Sequence, residues 1–247
     1  MTADVLIVKN IEHEGPGLLQ PMLDEYSITS DVIESPEDCP SPVDYRAMLV
    51  YGGSDSANDD TPKMRTELTR IREALDHRIP YLGICLGMQA LVKADQGVVL
   101  KAGASKMVED DQKEVGFIDS EGKNYEIELH RNGKDDPLFT GLPRVSKVFQ
   151  LHGETVLLKE SGQFMLAMGK FCLMQAVRIG TNAYGIQSHF ELTPEMLDRW
   201  ATEDPDLQPI GQATLRKQFA EIKDEYTKTG QRLFKNFLKI AGLVENE

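Results

Sequence analysis

Cys85 stands in Gly83-Ile84-Cys85-Leu86-Gly87, after an apolar run and before a segment of helical character over 86–93. A nucleophile on such a strand-to-helix turn is strained and needs small neighbours two residues on either side, as in the G-x-S-x-G elbow. Here the serine is a cysteine. The positive end of the following helix and its free N–H groups favour the thiolate, the reactive form, and the Leu86 N–H can face a developing oxyanion. The competing reading is that Cys85 is a small buried hydrophobe and the glycines only permit close packing.

A thiolate enzyme needs an imidazole to pair with the sulfur and protonate the leaving group, and a third group to orient that imidazole. Of five histidines, His189 ends the run Tyr184-Gly185-Ile186-Gln187-Ser188, which reads as a strand, and Glu191 follows two residues later. Alternate residues of an extended segment share a side, so His189 and Glu191 can touch while Phe190 turns to the core. Alone, a His-x-Glu at a strand end reads more often as a surface pair. His152, in Leu151-His152-Gly153-Glu154, is expected to line a pocket rather than act as a base, because no acidic residue is comparably placed to fix its ring. His13, His77 and His130 lie in polar or charged surroundings and are expected at the surface.

Tyr51-Gly52-Gly53-Ser54-Asp55-Ser56 follows a predicted strand, and its glycines allow the backbone to approach a ligand. The Gly53 amide would then be a second oxyanion donor. The loop is also similar to the S-G-G-x-D-S pyrophosphate loop of ATP pyrophosphatases. Against that, Tyr51 replaces the leading serine and a polar insert delays the next helix, whose start anion binding would need.

The elements that must position these residues alternate. Strands are predicted at 5–8, 26–32, 47–51 and 81–84, with helices at 17–25 and 63–77 and a proline-rich loop at 35–42. Leu68, Ile71, Leu75 and Ile79 give the second helix an apolar stripe, and Asp60-Thr61-Pro62 starts it. This is the βαβ pattern of a parallel sheet. Beyond Gly97, alternating segments at 114–118, 123–129 and 145–150 suggest antiparallel additions. From Pro194 charged helix formers dominate, with Leu215, Phe219, Ile222 and Tyr226 on one helix face that Gly230 is expected to end.

The chain has 247 residues, 40% of them apolar, which is ample for one core and tight for two full domains. One domain over 1–247 is expected, with its core at about 1–200 and a helical extension at about 201–247. A net charge of −13 disfavours nucleic acid and anionic membrane surfaces as partners. No basic start with an apolar h-region and no long apolar segment is visible. Cys39, Cys85 and Cys172 are odd in number and widely spaced, which argues against a disulfide framework or a CxxC zinc site. A reducing cytoplasm is the expected setting.

Together and in this order, the pieces resemble the class I, triad-type glutamine amidotransferases, from Val5 to about Trp200. The family's glutaminase signature is matched by Pro80-Tyr81-Leu82-Gly83-Ile84-Cys85-Leu86-Gly87-Met88-Gln89, and its histidine motif by the run from Tyr184 to Glu191. Ser56-Ala57-Asn58-Asp59, Glu114-Val115-Gly116-Phe117 and His152-Gly153-Glu154-Thr155 are similar to blocks of the stand-alone, GMP-synthase-like members. The resemblance implies an open, mostly parallel, flavodoxin-like α/β sheet flanked by helices, with antiparallel additions and a helical C-terminal tail.

It further implies Cys85 as nucleophile, His189 as base and acid, Glu191 as its orienter, and the Gly53 and Leu86 amides as oxyanion hole. Gly87, Gln89, His152 and Gly153 are implied contacts of the glutamine substrate. Neither a metal nor an organic cofactor is called for. A separate synthetase would take the ammonia, since no convincing ATP-binding domain is visible, and a homo-oligomer stays open. Phe190 stands where proline is usual and Ser188 where a bulky residue is common, which touches substrate choice more than chemistry. Two alternatives remain: a γ-glutamyl peptidase or hydrolase, and a non-catalytic regulatory module on the same scaffold.

Overall fold

Four consecutive buried residues, Val5–Val8 (β1), recur in Ala47–Val50 (β3), Tyr81–Ile84 (β4) and Ala183–Ile186 (β13). Unbroken apolar runs of this kind belong to strands covered on both faces. In the protein's structure, a computed structural model that describes residues 3–34, 36–104 and 113–245, these strands pair in parallel. Ser30–Ile33 (β2) joins the edge of β1.

The helices of this half are Gln20–Glu25 (α1), Pro62–Asp76 (α2) and Leu86–Ala94 (α3). Thr61 Oγ1 accepts from Met64 N–H at 3.2 Å, and Pro62 opens the helix where no amide donor is needed, as the sequence predicts. The predicted helix at 17–25 divides into a 3-10 turn, Gly17–Leu19, and α1. The strand predicted at 26–32 starts later, because Ser27 adopts φ +54° in the turn that leaves α1. Of the predicted loop at 35–42, Ser35 lies outside the described residues.

The remaining elements are Val98–Lys101 (β5), Glu114–Gly116 (β6), Glu126–Leu129 (β7), Arg131–Lys134 (α4), Val145–Lys147 (β8), Gln150–His152 (β9), Glu154–Leu157 (β10), Gln163–Gly169 (β11) and Ala176–Ile179 (β12). Two helices, Pro194–Glu203 (α5) and Gln212–Ile240 (α6), close the chain. The large sheet has nine strands in the order β2-β1-β3-β4-β13-β12-β11-β7-β8. Its first five are parallel and the other four run antiparallel. Small antiparallel pairs, β5 with β10 and β6 with β9, lie outside it. The single strand predicted at 145–150 is therefore two, β8 on the large sheet and β9 on β6.

Read by position, the parallel half has the flavodoxin-like order 2-1-3-4-5, whose switch point lies between β1 and β3. Loops after the strands meet there. One core, under α1, α5 and α6, holds Ile7, Leu49, Ile84 and Trp200, and the other, under α2 and α3, holds Leu6, Met48, Ile71 and Leu91.

The C-terminal segment is continuous with the first core: Leu215, Phe219, Ile222, Tyr226, Phe234 and Phe237 are buried in it. Gly230 does not end the helix, contrary to the sequence expectation. A Cβ there would lie 2.3 Å from the Phe190 carbonyl oxygen, so glycine lets α6 approach the end of β13's segment.

Candidate active site

The turn between β4 and α3 puts Cys85 at φ +52°, ψ −109°, a conformation that costs a non-glycine residue roughly 1–3 kcal/mol. Both neighbouring glycines are sterically required. A Cβ on Gly83 would lie 2.3 Å from the Gly87 oxygen, and one on Gly87 would lie 2.2 Å from the Val50 oxygen. Tyr81 Oη donates to the Gly87 oxygen at 2.8 Å and braces the turn. Leu86 and Gly87 are the first two residues of α3, so their amides have no acceptor within the helix.

His189 and Glu191 lie just beyond β13, beside the elbow, and both are fully buried. His189 Nδ1 meets Glu191 Oε1 at 2.6 Å, and Glu191 Oε2 accepts from Phe190 N–H at 2.9 Å. A proline at 190 could not supply that amide. The backbone is held as well: His189 N–H donates to the Phe149 oxygen at 2.9 Å, and Tyr226 Oη donates to the His189 oxygen at 2.9 Å. The Trp200 ring meets the imidazole edge-on, with centroids 5.0 Å apart. His189 Nε2 alone makes no hydrogen bond.

These contacts set the charges. Burial raises the proton affinity of the Cys85 thiol; His189 pulls it down, while Glu14 and Glu191 push it up. Burial opposes the imidazolium of His189, yet the Glu191 carboxylate and Cys85 lift it well above its ordinary value. Burial wins at Cys85, whose thiol is held above its ordinary value, and the raised basicity of His189 equips the imidazole to take the thiol proton when the sulfur attacks.

Cys85 opens on a cavity of about 340 Å³, within the usual range of roughly 300–1,000 Å³ for small-molecule sites. Glu14, Gly53, Gln89, His152 and Gly153 line it, and its rim carries Lys101, Lys113, Asp55 and Asp206. A larger cavity of about 560 Å³ between α1 and α6 contains none of the predicted site residues. Gln89 Nε2 donates to the Gln187 Oε1 at 3.2 Å, and Gln187 Nε2 in turn reaches the Cys85 sulfur at 3.6 Å. The structure thus brings together Cys85, His189, Glu191, Gly53, Leu86, Gly87, Gln89, His152 and Gly153 around one end of the sheet.

Some expectations change. His152 lines the cavity as predicted, but it does have a buried acid: Nε2 meets Glu114 Oε2 at 2.9 Å, while Nδ1 faces the Glu154 oxygen at 3.1 Å. Glu114 arrives from β6, through the β6–β9 pairing that no local pattern announces. His13 is not a plain surface residue either, since its ring packs edge-on against Trp200 and Nδ1 lies 3.0 Å from Glu203. In the glycine loop, Ser56 Oγ donates to Glu154 at 2.9 Å and α2 starts only at Pro62, so the loop does not open a helix as a pyrophosphate loop would.

Sequence reasoning missed Glu14, Glu114, Gln187 and Tyr226. Gln187 carried a signal, standing two residues before His189 in the run that reads as a strand, although β13 itself ends at Ile186. Two groups among the described residues have metal-ligand types with atoms within 4.8 Å of one another: Glu14, His189 and Glu191, and Glu114, His152 and Cys172. In the second, hydrogen bonds within the protein engage the donors: Gln175 Nε2 to Glu114 at 3.0 Å and Thr155 Oγ1 with Cys172 Sγ at 3.2 Å. No disulfide links Cys39, Cys85 and Cys172, and among the described residues no helix is long and apolar enough to cross a membrane.

The sequence profile described as glutamine amidotransferase class-I matches residues 17–203. Over 148 residues the chain is 29% identical to the GMP synthase [glutamine-hydrolyzing] of Lactobacillus delbrueckii subsp. bulgaricus, covering 60% of this chain and 24% of that protein. Over 120 residues it is 31% identical to the protein of the same description from Thermosipho africanus, covering 48% and 20%. The chain thus matches about a quarter or less of these relatives' length. The fold is that of a glutamine amidotransferase from Thermotoga maritima, with TM-score 0.81 at 22% identity over 97% of this chain and 99% of the other. A glutamine amido transferase from Methylobacillus flagellatus gives 0.77 at 23%, covering 97% and 96%.

Proposed function

The chain belongs to the class-I glutamine amidotransferase family, and on that premise we propose that it hydrolyses the side-chain amide of glutamine through a γ-glutamyl thioester on Cys85. The observation that carries this reading is the free His189 Nε2 beside the strained Cys85, with Nδ1 fixed by Glu191 at 2.6 Å. His189 Nε2 takes the thiol proton as the Cys85 sulfur attacks the amide carbon, and the Gly53 and Leu86 amides hold the resulting oxyanion, each such donor being worth about 3 kcal/mol. The tetrahedral adduct expels ammonia as the C–N bond breaks and the imidazolium of His189 protonates the nitrogen. Water then attacks the thioester carbon, its proton passes to Nε2 and on to the departing sulfur, and glutamate is released. Both charge signs on the cavity rim suit the zwitterionic end of an amino acid, with Gln89, His152 and Gly153 against the substrate.

The GMP synthase relatives support delivery of the ammonia to a synthetase, here taken as a separate chain, with 1–247 as one glutaminase domain acting in the cytoplasm. The same rim also suits a γ-glutamyl conjugate, which keeps the γ-glutamyl hydrolase as the second reading. Rates on glutamine and on γ-glutamyl dipeptides, wild type against Cys85→Ser, separate them. Preference for glutamine is expected, abolished in the variant; strong preference for the dipeptides would replace the leading reading with the second, and activity surviving in Cys85→Ser would overturn both.

A further inference from the structure

Glu14 has no part in the steps above, yet it borders the same cavity as Cys85. It follows β1, is only 6% exposed, and turns its carboxyl across the switch point toward the loop after β3. The carboxyl packs against Gly52, where a Cβ would lie 2.3 Å from Oε2, so glycine there makes room for the acid. On the other side, a carboxylate oxygen lies within 4.8 Å of a ring nitrogen of His189 and of a Glu191 oxygen.

Two atoms are left over. Oε2 of Glu14 and Nε2 of His189 are both buried and both lack a hydrogen-bond partner. Unpaired buried polar atoms are costly, and with a carboxylate oxygen of Glu14 within 4.8 Å of a ring nitrogen of His189, a small polar molecule can bridge the carboxyl and the imidazole. Amide hydrolysis requires two such molecules on the histidine side of the sulfur in turn: the ammonia that leaves and the water that replaces it. A water with one hydrogen on Nε2 and the other on Oε2 has its lone pair free for the thioester carbon.

We propose that Glu14 completes the leaving-group pocket, its Oε2 accepting a hydrogen bond from the expelled ammonia and then from the attacking water. The inference rests on the amide-hydrolysis reading. In the second step the water oxygen bonds to the carbonyl carbon, the C–S bond breaks, and the proton goes to Nε2 and then to sulfur. Glu14 keeps its protonation state throughout and orients the water. Burial pushes this carboxyl up to about 7, with His189 pulling it down and Glu191 and Asp204 pushing it up, so it titrates near neutrality and is mostly ionised about one unit higher.

The test is product partition with hydroxylamine, which intercepts the thioester to give the γ-glutamyl hydroxamate in place of glutamate. Wild type, Glu14→Gln and Glu14→Ala are compared at pH 8 with glutamine as substrate. Loss of a charge-assisted hydrogen bond to the water should raise the ratio of hydroxamate to glutamate about tenfold or more in Glu14→Ala, and less in Glu14→Gln. A purely structural role would slow both products together and leave the ratio alone. An unchanged ratio in both variants overturns the role of Glu14; a wild type that forms neither product overturns the amide-hydrolysis reading beneath it.

Discussion

Two buried histidine–glutamate pairs stand at the site, and they differ in how their ring nitrogens are spent. His189 spends only Nδ1 on Glu191 and keeps Nε2 unpaired, whereas His152 spends Nε2 on Glu114 and Nδ1 on the Glu154 oxygen. Both ring nitrogens of His152 face oxygen acceptors, so it has none left for a proton in flight. An adjacent acid therefore does not mark a catalytic histidine. A free second nitrogen does, and the same contrast explains why His152 reads as wall and His189 as proposed base.

The largest effect that can break this comparison is on turnover. His189→Ala should lower kcat for glutamine about 10⁴-fold, and His152→Ala should lower it by no more than about tenfold, as measured by glutamate release. Equal losses would erase the distinction. The acids sharpen it next: Glu191→Gln should cost about 10³-fold in kcat, because the amide no longer fixes the ring or stabilises the imidazolium, while Glu114→Gln should act mainly on thermal stability.

A third buried acid lacks any histidine. Glu67, on α2, is fully buried with neither oxygen hydrogen-bonded, and burial pushes it from its ordinary 4.5 to about 7. Its folded pKa is raised, so the stability it permits is fully present below pH 4.5 and is lost as pH rises through about 7. The loss is about 3 kcal/mol, read from urea unfolding across that window, and Glu67→Gln should flatten much of the slope. Glu14 contributes with the same sign and window. The smallest effect expected is that of Tyr226→Phe, which removes the donor to the His189 oxygen and the acceptor for Leu192 N–H. It should cost about 1 kcal/mol of stability and a few-fold in kcat.

How much of this was legible in the sequence follows from how local each feature is. Cys85 was readable because strand, turn and helix are contiguous and the flanking glycines are steric necessities of that turn. The spacing of His189 and Glu191 allowed them to meet, but only the family resemblance gave them their roles, and both lie beyond the end of β13. Glu114 and Glu14 were not readable, since the first reaches its histidine only through the β6–β9 pairing and the second crosses from one strand's loop to another's. The C-terminal helix was visible as a helix, but its contact with the site was not. Tyr226 lies on the predicted apolar face, and its hydroxyl reaches the His189 backbone 37 residues away. Gly230 misled because the tight approach to Phe190 is a tertiary fact, absent from helix-ending rules.

The proposed chemistry is tested most directly by a glutamine-mimicking diazoketone electrophile, with the labelled peptide identified by mass spectrometry. One adduct on Cys85 is expected, formed much more slowly in His189→Ala, with Cys39 and Cys172 unlabelled because both are buried and neither lines the cavity. An unmodified Cys85, or labelling that His189→Ala leaves at the wild-type rate, would contradict it.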